Sequence, residues 1–125
     1  MENESRMSVL VVSDDPHLRE EAKYGFRDGV DVAFARDSRD AWKVIERQLP
    51  DVVVVDLQTG SAGGFNLVRE MHEQSRVAPS LLLLERPQDE WLGRQAGADV
   101  IRVKPLDVAD LVEETLALAG SQKSA

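Results

Sequence analysis

Residues 51–60 read DVVVVDLQTG, and this stretch decides the fold. Four consecutive valines, Val52, Val53, Val54 and Val55, cannot all face water. A short β-branched run between Pro50 and Gly60 reads as a strand buried on both faces, as at the centre of a parallel sheet. It ends in Asp56 and opens into a loop of Gln58, Thr59, Gly60, Ser61, Gly63 and Gly64. Open α/β sheets bind ligands just beyond the carboxyl ends of their strands. The central strand therefore delivers one acid to the rim where chemistry is expected.

Working outward, residues 8–13 (SVLVVS) form a second apolar run, closed by Asp14, Asp15 and Pro16. Proline at the first helical position behind an Asp cap starts a helix, expected over 16–27, with Leu18, Ala22, Gly25 and Phe26 inward and Gly29 beyond its end. Gly25 inside it costs about 1 kcal/mol relative to Ala, a cost that close packing would justify. Residues 30–35 (VDVAFA) alternate as an edge or half-buried strand does. Ser38 is expected to cap a helix over 39–49, with Ala41, Trp42, Ile45 and Leu49 inward and Trp42 as core filler. A third helix is expected over 65–74 with Leu67, Val68 and Met71 inward. Residues 80–84 (SLLLL) read as a fourth strand, and 87–96 as a short helix carrying Trp91 and Leu92, closed by Gly97. Residues 100–103 (VIRV) read as a fifth strand. Asp107 then caps a last helix with Leu111, Val112 and Leu116 inward, ending at Gly120.

Strands alternating with helices specify an α/β domain whose parallel sheet is covered on both faces. Right-handed crossovers reduce the topology to a doubly wound, flavodoxin-like form with a five-stranded parallel sheet and five helices. The domain is expected over 8–120, with residues 1–7 a disordered lead and 121–125 a flexible tail.

Composition removes several functions. The chain has 125 residues and no cysteine, which excludes disulfide, zinc-thiolate and thiol-nucleophile chemistry. A formal net charge of −8 is repelled by phosphate backbones, so no direct nucleic-acid binding is expected. No apolar run reaches the roughly 18 residues that span a membrane, and the polar start MENESRM is unlike a secretory signal. A cytoplasmic location follows as the expectation.

Because parallel strands end on one rim, Asp14 and Asp15, Asp56 and Lys104 are expected together there. Each has an ordinary explanation: Asp15 as a helix cap, Asp56 in an Asx turn, Lys104 as a loop cation. Asp14 has no capping role, and converging carboxylates repel by roughly 4 kcal/mol per close pair at an effective dielectric near 20. A positive partner is required, namely Lys104 and a hard cation such as Mg²⁺.

These residues, together with VVVVD ending at Asp56, Gly64, AGAD at 96–99 and Lys104-Pro105, resemble the receiver domains of bacterial two-component response regulators over nearly all of residues 8–119. The resemblance implies that Asp56 is the phosphoacceptor. It implies Mg²⁺ bound by Asp15, Asp56 and the backbone carbonyl of Gln58, with Asp14 reaching the ion through water. It implies Lys104 paired with the phosphoryl group and a cis Lys104–Pro105 bond. The chemistry would be in-line attack by the Asp56 carboxylate while Mg²⁺ and Lys104 neutralise the phosphoryl oxygens. The implied donor is a sensor histidine kinase or phosphotransfer protein, and family dimers often use the face made by the fourth helix, fifth strand and fifth helix, where Trp91 and Arg102 are candidates.

Two departures stand out. The position that carries Thr or Ser in the family, at the end of the fourth strand, is Leu84, and the family's switch aromatic on the fifth strand falls at Ile101. The acids are present while both relay groups are replaced, so an atypical receiver is expected. The first reading is a stand-alone receiver phosphorylated on Asp56, not an enzyme, that signals by docking onto an effector protein. The second is an interaction module independent of phosphorylation. A small Mg²⁺-dependent phosphohydrolase would need a second acid two residues after Asp56, where Gln58 stands. A flavin carrier would need its glycine-rich loop after the first strand, and here it follows the third.

Overall fold

A computed structural model describes residues 6–56, 63–74 and 78–124. Strands β1 (Met7–Val12), β2 (Val30–Ala35), β3 (Val52–Asp56), β4 (Ser80–Leu84) and β5 (Val100–Val103) alternate with helices α1 (Pro16–Gly25), α2 (Ser38–Arg47), α3 (Gly63–Glu73), α4 (Glu90–Ala96) and α5 (Val108–Ser124). The five strands are all parallel in the order β2-β1-β3-β4-β5. This is the doubly wound form expected from the sequence.

The valine run is central as its composition requires, since every residue of β3 is buried. Alternate side chains feed two cores. Val53 and Val55 join Leu10, Val12, Leu82 and Leu84 beneath Ile45 of α2 and Leu67, Val68 and Met71 of α3. Val52 and Val54 join Val9, Val11, Leu81 and Leu83 beneath Leu18 and Ala22 of α1 and Leu111 of α5. Strand β2 lies on the sheet edge with an alternating exposure pattern. Close packing does explain Gly25: a Cβ there would lie 2.9 Å from Val108 and 3.2 Å from Val112 of α5.

Several boundaries differ from expectation. Helix α1 stops at Gly25, and Phe26 turns extended so that its ring enters the core rather than continuing the helix face. Asp37, not Ser38, caps α2 by accepting the Asp40 N–H at 3.0 Å, which shifts the helix one residue earlier. It ends at Arg47, so Leu49 lies outside it and is 51% exposed instead of inward. Trp42 is only partly buried, with its indole N–H donating to Glu70 at 2.8 Å. A 3₁₀ turn over Pro87–Asp89 precedes α4, and both Trp91 and Leu92 point outward. Helix α5 runs through Gly120 to Ser124, because glycine in a helix only weakens it. Met7 lies in β1 rather than in a leading segment.

The AGAD motif has a structural role. Gly97 ends α4 with φ +96°, and the Asp99 carboxylate accepts the Ser80 N–H at 2.9 Å at the start of β4. Among the described residues no helix is long and apolar enough to cross a membrane.

Candidate functional site

Parallel order brings the ends of β1, β3 and β5 to one rim, as the sequence implied. Asp56, the last residue of β3, has no exposed surface. Its Oδ1 accepts a hydrogen bond from Lys104 Nζ at 2.8 Å, and its Oδ2 accepts one from the Ser13 hydroxyl at 2.8 Å. Lys104 follows β5 directly, and its ammonium also donates to Glu85 Oε2 at 2.9 Å. Burial works to lower the Lys104 ammonium, but its hydrogen bonds and attraction to Asp56 and Glu85 outweigh that and hold it above the ordinary lysine value. The Lys104–Pro105 peptide is cis, as the resemblance implied.

Asp15 belongs to the same cleft. A cavity of about 370 Å³ is lined by Asp15, Leu18, Leu83, Glu85, Lys104 and Pro105, among others. The Asp15 carboxylate caps α1 by accepting the His17 N–H at 3.0 Å. Asp14 is exposed and lines a separate cleft with Pro16, Arg19 and Arg36. Gln58 lies outside the described residues.

The crowding of three carboxylates expected from the sequence is therefore relieved. Among the described residues no three His, Asp or Glu groups gather around a common point. Asp56 faces a lysine and a hydroxyl, Asp15 caps its own helix, and Asp14 lines a different cleft. By chemistry the donor set still suits a hard cation, because Asp14, Asp15 and Asp56 offer only carboxylate oxygens. The Lys104 ammonium pairs with Asp56 at 2.8 Å.

Two site residues escaped the sequence reading. Ser13 lies within an apolar run and looks like a strand residue, yet it is fully buried against Asp56. Its position two residues after Val11, on the face that Val52 and Val54 share with Asp56, was the available signal. Glu85 shows no pattern at all, being the first residue after four leucines.

The two replaced relay positions are both packed inward. Leu84 has no exposed surface and lies in the same core as Val12 and Val55. Ile101 packs against that core, close under Gly93 of α4, where an added Cβ would come within 3.0 Å of its Cδ1.

A model of the response regulator receiver domain matches residues 9–116, and the chain belongs to that family. It is a receiver domain of two-component signalling. A curated relative, an uncharacterised 14.6 kDa protein of Leptolyngbya boryana, is 28% identical over 117 residues, covering 90% of this chain and 89% of the relative. The transcriptional regulatory protein TrcR of Mycobacterium tuberculosis is 32% identical over 111 residues, 86% of this chain, of which this chain spans 43% of the length. Among solved structures, the receiver domain of Francisella response regulator 1452 superposes with a TM-score of 0.83 at 25% identity, covering 94% of this chain and 99% of that one. A CheY-like receiver from Methanospirillum hungatei shares the fold with a TM-score of 0.84 at 20% identity, over 96% and 98% of the two chains.

Proposed function

We propose that Asp56 accepts a phosphoryl group from a sensor histidine kinase or phosphotransfer protein, and that the phosphorylated domain signals by contact with an effector protein. The observation that carries this is the Asp56–Lys104 pair: a fully buried carboxylate at the end of the central strand with an ammonium 2.8 Å from one oxygen. Such a carboxylate would serve as the nucleophile, and the same ammonium can follow the charge onto the phosphoryl oxygens as the new bond forms. Mg²⁺, which family members typically bind, would be held by Asp15 and Asp56, with Asp14 through water and the Gln58 carbonyl completing the set. When bound it supplies charge neutralisation of the phosphoryl group. Asp15 would serve the cation and its helix cap together.

The domain acts as a stoichiometric acceptor in this proposal, not as a turnover enzyme. A homodimer or effector would use the α4–β5–α5 face, where Trp91 is 63% and Leu92 43% exposed and Arg102 of β5 is exposed too. Incubation with Mg²⁺ and a small phosphodonor should add one phosphoryl group, labile to hydroxylamine, that Asp56→Asn abolishes. A wild-type mass that never shifts, with the donor or with candidate kinases, defeats the proposal. The phosphorylation-independent module is favoured by one observation, the inward packing of Leu84 and Ile101 where a hydroxyl and an aromatic would relay the signal. It gains if partner binding is the same with and without the phosphoryl group.

A further inference from the structure

We infer that Ser13 is a further catalytic residue of this site, whose hydroxyl fixes which Asp56 oxygen carries the phosphoryl group and hastens its hydrolysis. This rests on the phosphorylation of Asp56 proposed above.

Ser13 and Asp56 have no exposed surface. The Ser13 hydroxyl accepts the Asp15 N–H at 3.1 Å and donates to Asp56 Oδ2 at 2.8 Å. A hydroxyl has one proton to give, so that proton is committed to Oδ2. The Ser13 backbone is fixed as well, its N–H donating to the Ala35 carbonyl at 2.9 Å and its carbonyl accepting from Arg19 Nη1 at 3.0 Å. The opposite oxygen, Oδ1, faces Lys104.

The two oxygens of Asp56 are thereby made unequal. Oδ1 is the oxygen on the side of Lys104, which lines the cleft, so we assign it as the one that takes the phosphoryl group. Oδ2, held by a buried hydroxyl, remains the carbonyl oxygen of the acyl phosphate. On transfer, the Oδ1–phosphorus bond forms as the donor's bond to phosphorus breaks. On hydrolysis, water attacks phosphorus, and the electron pair of the Oδ1–phosphorus bond returns to the carboxylate. Both water protons leave on inorganic phosphate.

The returning charge spreads over Oδ1 and Oδ2, so the Ser13 hydrogen bond strengthens along the path to hydrolysis. A fixed donor at an oxygen that gains charge lowers the barrier. The same bond stabilises the free carboxylate before it attacks, so Ser13 shortens the life of the phosphorylated state.

The test is the decay of the acyl phosphate in wild type, Ser13→Ala and Ser13→Cys after loading with Mg²⁺ and a small acyl-phosphate donor, donor removal and intact mass measurement. Both variants should decay about tenfold more slowly, the loss expected from removing one ordinary hydrogen bond. Ser13→Cys keeps the side-chain shape in a slightly larger group with only a weak donor, so it decides the matter should Ser13→Ala fail to fold. Acyl phosphate that forms and decays at the wild-type rate in the folded variants overturns the role of Ser13 and leaves Asp56 phosphorylation standing. A wild-type protein that never forms it brings down both.

Discussion

Removing Lys104 should reveal how far the fold depends on the charge it holds at the site. In Lys104→Met the aliphatic stem survives and the ammonium is lost, leaving Asp56 with no exposed surface and without its lysine. Breaking a buried ion pair costs about 3–5 kcal/mol. The Lys104 side chain keeps 22% exposure, so water can reach Oδ1 once the ammonium has gone, and the Ser13 hydroxyl still holds Oδ2. We therefore expect a loss of about 2 kcal/mol. The Glu85 half adds little, because that carboxylate is 42% exposed. At this chain length the loss corresponds to a fall in Tm of about 6 °C. Asp56→Asn in the same background should recover most of it, since the uncompensated charge is then gone. The sign of the pH dependence follows from the raised Lys104 value. A raised lysine contributes fully below its unfolded value of 10.5 and loses that contribution as pH rises through the higher folded value. The gap between wild type and Lys104→Met should be flat across neutral pH and close in strong alkali. Urea unfolding of the single and double variants measures the coupling. A loss below about 0.5 kcal/mol, or strict additivity of the two substitutions, would refute the reasoning.

Mg²⁺ should raise Tm, by about 1.4 kcal/mol of linkage at tenfold excess over its dissociation constant. Asp15→Asn should abolish the rise while keeping the α1 cap, whereas Asp15→Ala should also lower the metal-free stability by about 1 kcal/mol. A rise that survives Asp15→Asn removes Asp15 from the metal site. Beryllofluoride should shift amide signals near Asp56 but little in β5, because Leu84 and Ile101 are packed inward; large shifts across 100–103 would show a conventional switch. Thr115 is fully buried and its hydroxyl has no hydrogen-bond partner among the described residues, so Thr115→Val should stabilise by about 1 kcal/mol, and a loss in urea unfolding would contradict this. Gly97→Ala should destabilise by about 1–2 kcal/mol or more, since φ is +96° and a Cβ would strike the His72 ring; unchanged stability would refute it.

The strands were legible because their signals are local. Four valines or four leucines in a row admit only a buried strand, and β2, β4 and β5 begin and end where the sequence placed them. Helix ends were less legible, because caps compete. Asp37 and Ser38 can each cap α2, and only the geometry at Asp40 selects Asp37. Gly120 carries a stop signal, yet α5 continues through it. At the site, Asp56, Lys104 and Asp15 could be placed on one rim from topology alone. The orientation of their side chains could not, because it depends on Ser13 and Glu85, whose roles arise from contacts between residues 43 and 19 positions apart. Asp15 illustrates the difference: the sequence gives it a cap and a site, and in the structure the cap holds its carboxylate.

The central claim is that Asp56 carries the phosphoryl group, and locating the modified residue tests it most directly. After loading with Mg²⁺ and phosphodonor, borohydride reduction converts an acyl phosphate on aspartate to homoserine, which peptide sequencing by mass spectrometry can locate. The account predicts homoserine at position 56 alone, lost in Asp56→Asn. Homoserine at position 14 or 15, phosphate on Ser13, or no modified peptide from a folded, Mg²⁺-loaded protein would contradict it.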